Sequence, residues 1–126
     1  ALLEFIKPVK LGVAPILGDG KQIVSWIHQQ DLTSIILFAL SNPQIEGIYN
    51  AVAPEPVTNE SLTVHISSKY HSWYVKVHVP VWVLKIMLGE MSIEVLKSAK
   101  VSSQKLQNSQ FSFQFPTISS AIGNLL

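Results

Sequence analysis

The spacing of apolar and polar positions along this 126-residue chain predicts strands that alternate with helices. Short apolar runs at 23–27 and 48–52 predict buried strands, and the valines of 73–79 alternate with polar residues as in a half-buried strand. Helices are expected between them, over about 31–40, where apolar residues share one face, and over about 58–69. This order of strands and helices favours βαβ units and a parallel sheet.

The first quarter of the chain interrupts this order twice. Apolar residues within 2–6 predict the last turns of a helix that enters from upstream and ends near Pro8. Residues 12–22 predict a loop with Gly18, Asp19 and Gly20 at its tip.

After residue 79 the pattern becomes mostly helical. Pro80 predicts the start of a helix over 81–88 that Gly89 ends, and phenylalanines alternate in an extended stretch at 111–115. Three further helices are predicted after hydroxyl side chains that would cap them: Ser92, Ser102 and Thr117. We therefore divide the chain into a substrate-side α/β portion, residues 1–79, and a small, mostly helical C-terminal subdomain, residues 80–126.

The composition shows that the chain contains unusually few charged residues. Hydrophobic residues make up 48% of the chain and charged residues 13%, against about 25% charged residues in an average soluble domain. So few charges would leave apolar surface exposed on a free-standing globule. This predicts either the separated half of a larger core or association with further copies of the chain.

Charge and cysteine content also limit the expected partners and location. The net charge is +1 and the basic residues are scattered, which disfavours a nucleic-acid partner. The chain has no cysteine, which fits a reducing compartment. It starts without a signal-peptide pattern, and its longest apolar run, 77–88, is shorter than the roughly 20 residues that span a bilayer. We expect a soluble, cytoplasmic protein without a membrane partner.

Two predicted strand ends carry the candidate binding residues. The first strand delivers Trp26 and His28 to a helix that Asp31 is expected to cap, and the second runs into Pro54. Ligands of open α/β sheets gather beyond the carboxyl ends of the strands, so these residues could form the walls of one pocket. An ordinary turn, a capped helix and core packing of the aromatic rings explain the same residues without a ligand.

The other side chains that could support chemistry are poorly placed along the sequence. The four histidines lack the spacing of metal ligands, so no metal site is predicted. Ser25 lies near His28, but no nucleophile elbow surrounds it. The glycine loop at 18–20 precedes a strand and does not match G-x-G-x-x-G, so it is not a dinucleotide fingerprint.

Taken together, several ordered motifs resemble one protein family over nearly the whole chain. The motifs are Gly18-x-Gly20-x-Gln22, Ser25-Trp26-Ile27-His28-x-x-Asp31, Gly47-x-Tyr49-Asn50-x-x-Ala53-Pro54-Glu55-Pro56-Val57-Thr58-Asn59, Val79-Pro80, Leu88-Gly89-Glu90-Met91, Lys105-Leu106 and Phe111-x-Phe113-x-Phe115-Pro116 followed by Ala121. They resemble the C-terminal half of the epimerase-type branch of extended short-chain dehydrogenase/reductases. Members of this branch are often labelled sugar-nucleotide epimerase-like or cell-division-inhibitor-like.

The resemblance implies an α/β fold that forms the C-terminal part of a Rossmann-type NAD(P)-binding protein. In that family the cofactor site and the catalytic Tyr-x-x-x-Lys lie upstream, and this chain contains neither. No catalytic residue is therefore assigned, and NAD(P) is expected in the full-length protein but not on this chain alone. The implied function is the substrate-binding portion of an NAD(P)-dependent nucleoside-diphosphate-sugar epimerase-like protein. Its implied partners are a small-molecule substrate and the missing N-terminal Rossmann half.

The resemblance also assigns roles to individual residues. The residues expected to line the substrate region are Lys21, Gln22, Ser25, Trp26, His28, Asn50 and Pro54. Asp31 would fix the corner between strand and helix.

Three positions depart from the pattern of the family: Lys21 where arginine is usual, Ser103 where proline is usual, and Gln110 where glycine is usual. Lysine lacks the bidentate geometry of arginine, which weakens a phosphate-binding role for Lys21. An alternative therefore stays open, a non-catalytic binding or interaction module that retains the fold, as a homodimer for instance.

Overall fold

The computed structural model describes the backbone of residues 2–126 and the side chains of residues 6–126. In chain order its elements are α1 (Leu2–Val9), β1 (Val13–Leu17), β2 (Ile23–Val24), α2 (Gln29–Ser41), β3 (Val57–Thr58), α3 (Asn59–Tyr70), β4 (Val75–Val79), α4 (Val81–Leu88), α5 (Met91–Leu96), α6 (Gln104–Asn108) and α7 (Ile118–Leu125). The predicted first helix is present as α1, although Ala1 and the side chains before Ile6 lie outside the described residues. No described helix has the length and apolarity that a membrane crossing requires.

A two-stranded parallel sheet forms from β1 and β4, paired from Val13 with Val75 to Leu17 with Val79. The prediction of parallel pairing is confirmed for β4, which lies within its predicted range, but not for the other two predicted strands. However, β1 falls inside the stretch that was predicted to be a loop. Pro15 obscures this strand in the sequence because proline lacks a ladder N–H, but an edge strand tolerates it.

The two faces of this sheet differ in their surroundings. Ala14 and Ile16 are buried, and α1 and α3 pack against β1. The other face aligns valines of β4 with apolar residues of β1, and Val75 and Val77 stay 56% and 42% exposed. The prediction of a half-buried β4 was wrong, because all of its residues except Val79 are exposed.

The other two predicted strands are reduced or missing. Of the predicted strand 23–27, only Ile23–Val24 pairs, and it pairs antiparallel to Val57–Thr58. The predicted strand 48–52 does not form, since among the described residues no backbone hydrogen bond reaches it from another strand. Apolar sequence is sufficient to favour a strand, but a strand also needs a neighbour to pair with.

Helix α2 begins differently from the prediction. Its N-cap is His28, whose Nδ1 accepts a hydrogen bond from the Gln30 N–H at 3.0 Å. Asp31 is therefore not the cap; it lies within the first turn, and other backbone groups bind its carboxylate. The helix ends at Ser41 as predicted, where the Asn42 side chain donates to Phe38 O.

The remaining caps confirm some predictions and correct others. Thr58 caps α3 and Thr117 caps α7, each accepting from a backbone N–H with its hydroxyl. Helix α4 spans the predicted residues and ends at Gly89. Ser92 does not cap α5, since that helix begins at Met91 and the Ser92 hydroxyl donates to Gly89 O.

Helix α6 also begins differently from the prediction. Ser103 is the N-cap of α6, and the Ser102 hydroxyl instead accepts from the Gln104 N–H. Residues 111–115 lie outside any helix or strand.

The core joins the two ends of the chain. Ile6 and Val9 of α1 pack with Ile66 of α3 and with Ile118 and Ile122 of α7. The last helix is thus part of the same core as the first one. The division of the chain at residues 79 and 80 stays a prediction.

We expect Gly20→Ala to destabilise the protein strongly. Gly20 has a φ of 70°, and an added Cβ would collide with Ile16 Cγ2 and lie 3.0 Å from Glu60 Cβ. A left-handed backbone and overpacking together should lower the free energy of unfolding by about 2–5 kcal/mol. Urea denaturation measures this, with Gly123→Ala as control, since nothing lies within 4 Å of its added Cβ. Equal effects of the two substitutions would contradict the prediction.

We expect Gln110→Gly to leave the protein as stable as before or more stable. Gln110 has a φ of 71°, the only positive value among the described non-glycine residues. Glycine removes the steric cost of this conformation, partly offset by its greater freedom in the unfolded chain, for a gain of up to about 1 kcal/mol. Gln110→Ala, which removes the same side chain but keeps Cβ, should show no gain in thermal denaturation. A gain with alanine as large as with glycine would argue against this explanation.

Candidate functional site

Two of the predicted site residues hold the segment 95–102, which begins with the last two residues of α5, against β2. The Gln22 side chain is buried, and its Nε2 donates to Leu17 O at 3.1 Å and to Val95 O at 3.2 Å. The Ser25 hydroxyl donates to Ala99 O at 2.7 Å and accepts from the Val101 N–H at 3.0 Å. The Gln22 amide nitrogen and the Ser25 hydroxyl thus form their hydrogen bonds within the protein.

Further hydrogen bonds extend this attachment along the segment 95–102. The Ile23 N–H donates to Ser98 Oγ at 2.9 Å, and Ile23 O accepts from the Ala99 N–H at 3.0 Å. Asn50 Nδ2 donates to Ser102 O at 3.2 Å. The segment 95–102 is therefore fixed from both strand ends that the sequence had singled out.

His28 and Asp31 hold the C-terminal region instead of facing an open cavity. The His28 ring is 3% exposed, and its centroid lies 4.0 Å from that of Phe115. Since His28 Nδ1 accepts from Gln30, its Nε2 carries the proton and donates to Asn124 Oδ1 at 3.0 Å. With both ring nitrogens engaged, His28 has no free atom for acid–base chemistry on an external ligand.

The Asp31 carboxylate binds the chain just before α7. Its two oxygens accept from the Gln114 N–H at 2.8 Å and the Phe115 N–H at 2.9 Å, and the residue is 1% exposed. Asp31 was predicted to fix the corner between a strand and α2. Its carboxylate instead links α2 to the C-terminal region.

The other predicted site residues do not meet in one place. Trp26 Nε1 donates to Glu55 O at 2.7 Å, and its ring packs against the core. Lys21 is exposed, and its backbone N–H donates to Asp19 Oδ1. Pro54 lines a different cavity of about 300 Å³ beside Ser102.

A cavity of about 500 Å³ lies at the carboxyl end of β1 and is the best candidate binding site of the described residues. Its lining combines apolar side chains with polar and charged ones: Leu17, Ile23, Val24, Ser25, Val52, Asn59, Leu62, Glu94, Val95, Lys97, Ala99 and Val101. Among the predicted site residues, only Ser25 lines it. The Asn59 Oδ1 at its wall accepts from the Leu17 N–H at 3.0 Å.

Sequence reasoning missed the contribution of the segment after α4 to this cavity. Glu94 and Lys97 bring opposite charges to its lining, and Val95, Ala99 and Val101 supply one wall. A helix was predicted after Ser92, but residues 97–101 lie outside any helix or strand and are positioned by hydrogen bonds from residues distant in sequence, which no local pattern reveals. Within the described residues, no group of three or more histidine and acidic side chains could hold a metal ion.

Comparison with known proteins identifies related sequences. Residues 79–125 match a family described as a domain of unknown function (DUF1731). The chain is 33% identical over 130 aligned positions to epimerase family protein SH2119 of Staphylococcus haemolyticus, which covers all of this chain and 42% of that protein. It is 35% identical over 108 positions to the chloroplastic epimerase family protein SDR39U1 homolog of Arabidopsis thaliana, covering 84% of this chain and 30% of that protein.

A solved structure shows the same fold. The human epimerase family protein SDR39U1 (isoform 2), solved with NADPH, superposes with a TM-score of 0.90 and 26% identity. The match covers 98% of this chain and 42% of the human one. The predicted resemblance and fold class are thus confirmed: the chain corresponds to the C-terminal part of epimerase family proteins, which have a Rossmann-type fold. The chain spans less than half the length of these relatives.

We expect Asp31→Asn to destabilise the protein although it changes few atoms. An amide can present only one oxygen, so one of the two backbone N–H groups of Gln114 and Phe115 loses its acceptor. A buried unsatisfied group costs about 1–3 kcal/mol, which urea denaturation would show as a lower free energy of unfolding. Asp19→Asn is the control, since Asp19 is exposed. A loss with Asp19→Asn that matched the loss at Asp31 would contradict this.

Proposed function

We propose that this chain is the substrate-side portion of an NAD(P)-dependent epimerase-like protein, whose upstream portion binds the dinucleotide. The observation that carries the proposal is the match to the human protein solved with NADPH, which covers 98% of this chain but 42% of that protein. The part of the relative without a counterpart here is large enough for a nucleotide-binding domain.

The residues of this chain do not fit the dinucleotide itself. The sequence has no G-x-G-x-x-G between a strand and a helix, and its glycine loop at 18–20 leads into β2. NAD(P) supplies hydride exchange when it is bound to such proteins. The task left to this chain is to bind and orient the substrate, and we assign no proton transfer to its residues.

The cavity at the end of β1 supports a substrate that is partly apolar and partly charged. Its volume of about 500 Å³ lies within the range of small-molecule sites. Lys97 offers a positive charge for a phosphate, and Glu94 and the Asn59 amide offer polar groups for hydroxyls. A nucleoside-diphosphate sugar has this combination of groups, and we propose it as the substrate class.

The predicted site residues take two roles in this proposal. Gln22, Ser25 and Asn50 position the cavity wall 95–102, to which each of them donates a hydrogen bond. Direct substrate contact by Lys21, Trp26, His28 and Pro54 stays a prediction. We also retain a cytoplasmic location, which the absence of cysteine supports.

A second candidate function is a non-catalytic binding module with the same fold. It is favoured by the internal hydrogen bonds of Gln22, Ser25 and His28, which leave these polar groups few free positions for a ligand.

Cofactor and substrate titrations separate the two candidates. We use a hybrid protein in which the upstream portion of the Staphylococcus haemolyticus relative precedes this chain. It is expected to quench NADPH fluorescence on binding and to bind a uridine-diphosphate sugar in calorimetry. Lys97→Ala should weaken sugar-nucleotide binding roughly tenfold through the loss of one charge, or about 1.4 kcal/mol, and leave NADPH affinity unchanged.

The control is Lys69→Ala, a lysine of α3 that does not line this cavity. If millimolar NADPH does not bind the hybrid, the enzymatic proposal fails and the non-catalytic module is favoured. If NADPH binds but Lys97→Ala and Lys69→Ala behave alike, the cavity is not the phosphate-binding site.

A further inference from the structure

The two loops that precede β1 and β4 expose large apolar side chains. Leu11 is 82% exposed and Trp73 is 66% exposed. Since β1 and β4 are parallel and paired in register, both side chains lie at the same end of the sheet. Residues 10–12 and 71–74 make up this end of the molecule, the sheet tip.

Hydrogen bonds hold the sheet tip in one conformation. The His71 Nε2 donates to Lys10 O at 3.1 Å, which ties one loop to the other. The Gly12 O accepts from the Val75 N–H at 3.0 Å. The Trp73 ring lies across Gly12, where an added Cβ would be 3.4 Å from the ring. The two exposed side chains are therefore presented on a fixed frame, so binding through them would require little ordering.

The described charges around the sheet tip are positive. Lys10 lies within the tip, Lys69 lies in the last turn of α3 directly before it, and both are exposed. Among the described side chains of α1, β1, α3 and β4, the acidic one is Glu60. Glu60 lies at the opposite end of α3 and pairs with Lys76 at 3.4 Å. The tip thus combines an apolar end with basic flanks.

We propose that the sheet tip binds the surface of an anionic lipid bilayer, with Leu11 and Trp73 among the headgroups and Lys10 and Lys69 beside their negative charges. Tryptophan favours this depth because its ring is apolar and its N–H is polar. Lysine adds apolar contact through its stem and attraction to anionic lipid through its ammonium group. No membrane partner was expected because the sequence has no spanning segment, but contact at the headgroup level needs none.

The position of the sheet tip leaves the candidate cavity accessible. The cavity lies at the carboxyl end of β1 and the tip at its amino end, about 16 Å away along a five-residue strand. Helix α1 packs on β1 and joins it through a tight turn, so it runs antiparallel to β1 and begins near the cavity end. A bilayer at the tip would therefore lie away from the cavity and from the start of α1.

The size of the sheet tip favours a bilayer over a protein partner. A fully exposed aromatic side chain offers roughly 150–250 Å², so Trp73 and Leu11 at their observed exposure offer on the order of 200–300 Å² together. A stable protein interface buries about 800 Å² on each partner. A bilayer needs no complementary shape, because lipids rearrange around two projecting side chains.

Vesicle sedimentation tests the proposal. The chain should bind vesicles of phosphatidylcholine mixed with phosphatidylserine at least about tenfold more tightly than vesicles of phosphatidylcholine alone, and added salt should weaken this binding. Lys10→Ala should weaken it about fivefold, the contribution of one lysine near an anionic surface. Equal binding to both kinds of vesicle, or binding to neither, would overturn the proposal.

A matched pair of tryptophan variants locates the contact. Trp73 and Trp82 are both 66% exposed, but Trp82 lies on α4, outside the sheet tip. Trp73→Ala should weaken vesicle binding at least about tenfold through the loss of its apolar surface, and Trp82→Ala should leave it unchanged. If Trp82→Ala has the larger effect, α4 is the contact and the proposal is wrong.

Leu11→Ser separates binding from folding. Trp73 packs on Gly12, so Trp73→Ala also removes a contact within the protein, whereas Leu11 is 82% exposed and contributes little to the fold. Leu11→Ser should keep the melting temperature and weaken vesicle binding about fivefold. A folded Leu11→Ser variant that binds vesicles as tightly as the unchanged chain would contradict the proposal.

Two further measurements address other occupants of the sheet tip. The hybrid protein defined above should bind the mixed vesicles as the chain does, and loss of binding in the hybrid would overturn the proposal, since upstream polypeptide would then cover the tip. Polyglutamate is titrated in calorimetry as a model of an acidic protein partner. Binding of polyglutamate that depends on Trp73, by a chain that does not bind vesicles, would assign the tip to such a partner instead.

Discussion

The attachment of the chain after α4 to the residues around β2 and α2 is the interaction on which the rest of the structure depends. Gln22 and Ser25 bind the segment 95–102, and His28 and Asp31 bind the region around α7. These side chains are largely withdrawn from water, where an unmade hydrogen bond is expensive. The candidate cavity has one of its walls only because this attachment exists. A change at Gln22 or Ser25 would therefore reach the cavity through the backbone that these side chains hold.

Local signals were sufficient to predict most of the helices. Thr117 caps α7 as expected, and Gly89 ends α4, because each signal acts within one turn of the chain. The predicted capping role of Asp31 was wrong. An aspartate before an apolar periodic run is a good cap in isolation, but here its carboxylate binds Gln114 and Phe115, which are remote in sequence. The neighbouring His28 takes over the cap. No local pattern reveals a partner that lies so far along the chain.

The strands and the candidate site were also only partly predictable from local sequence. The valines of β4 were recognised, but their burial was not, since burial depends on elements outside the strand. Residues 48–52 have the sequence of a strand and lack a partner among the described residues. For the site, the resemblance selected residues near the cavity, yet only Ser25 lines it. The resemblance did identify Gln110 as a glycine position, and the backbone there keeps the left-handed conformation that explains the preference.

The shortage of charge and the uncovered surfaces have a common physical cause. With 13% charged residues, the chain cannot place a charged side chain on every outward face. The deficit is shared by several helices: α2 carries no charge apart from the buried Asp31, α7 carries none, and α4 carries only Lys85. On α2 and α4 it coincides with exposed apolar side chains, among them Leu40 and Ile86, because few charged residues are available to occupy the outward positions.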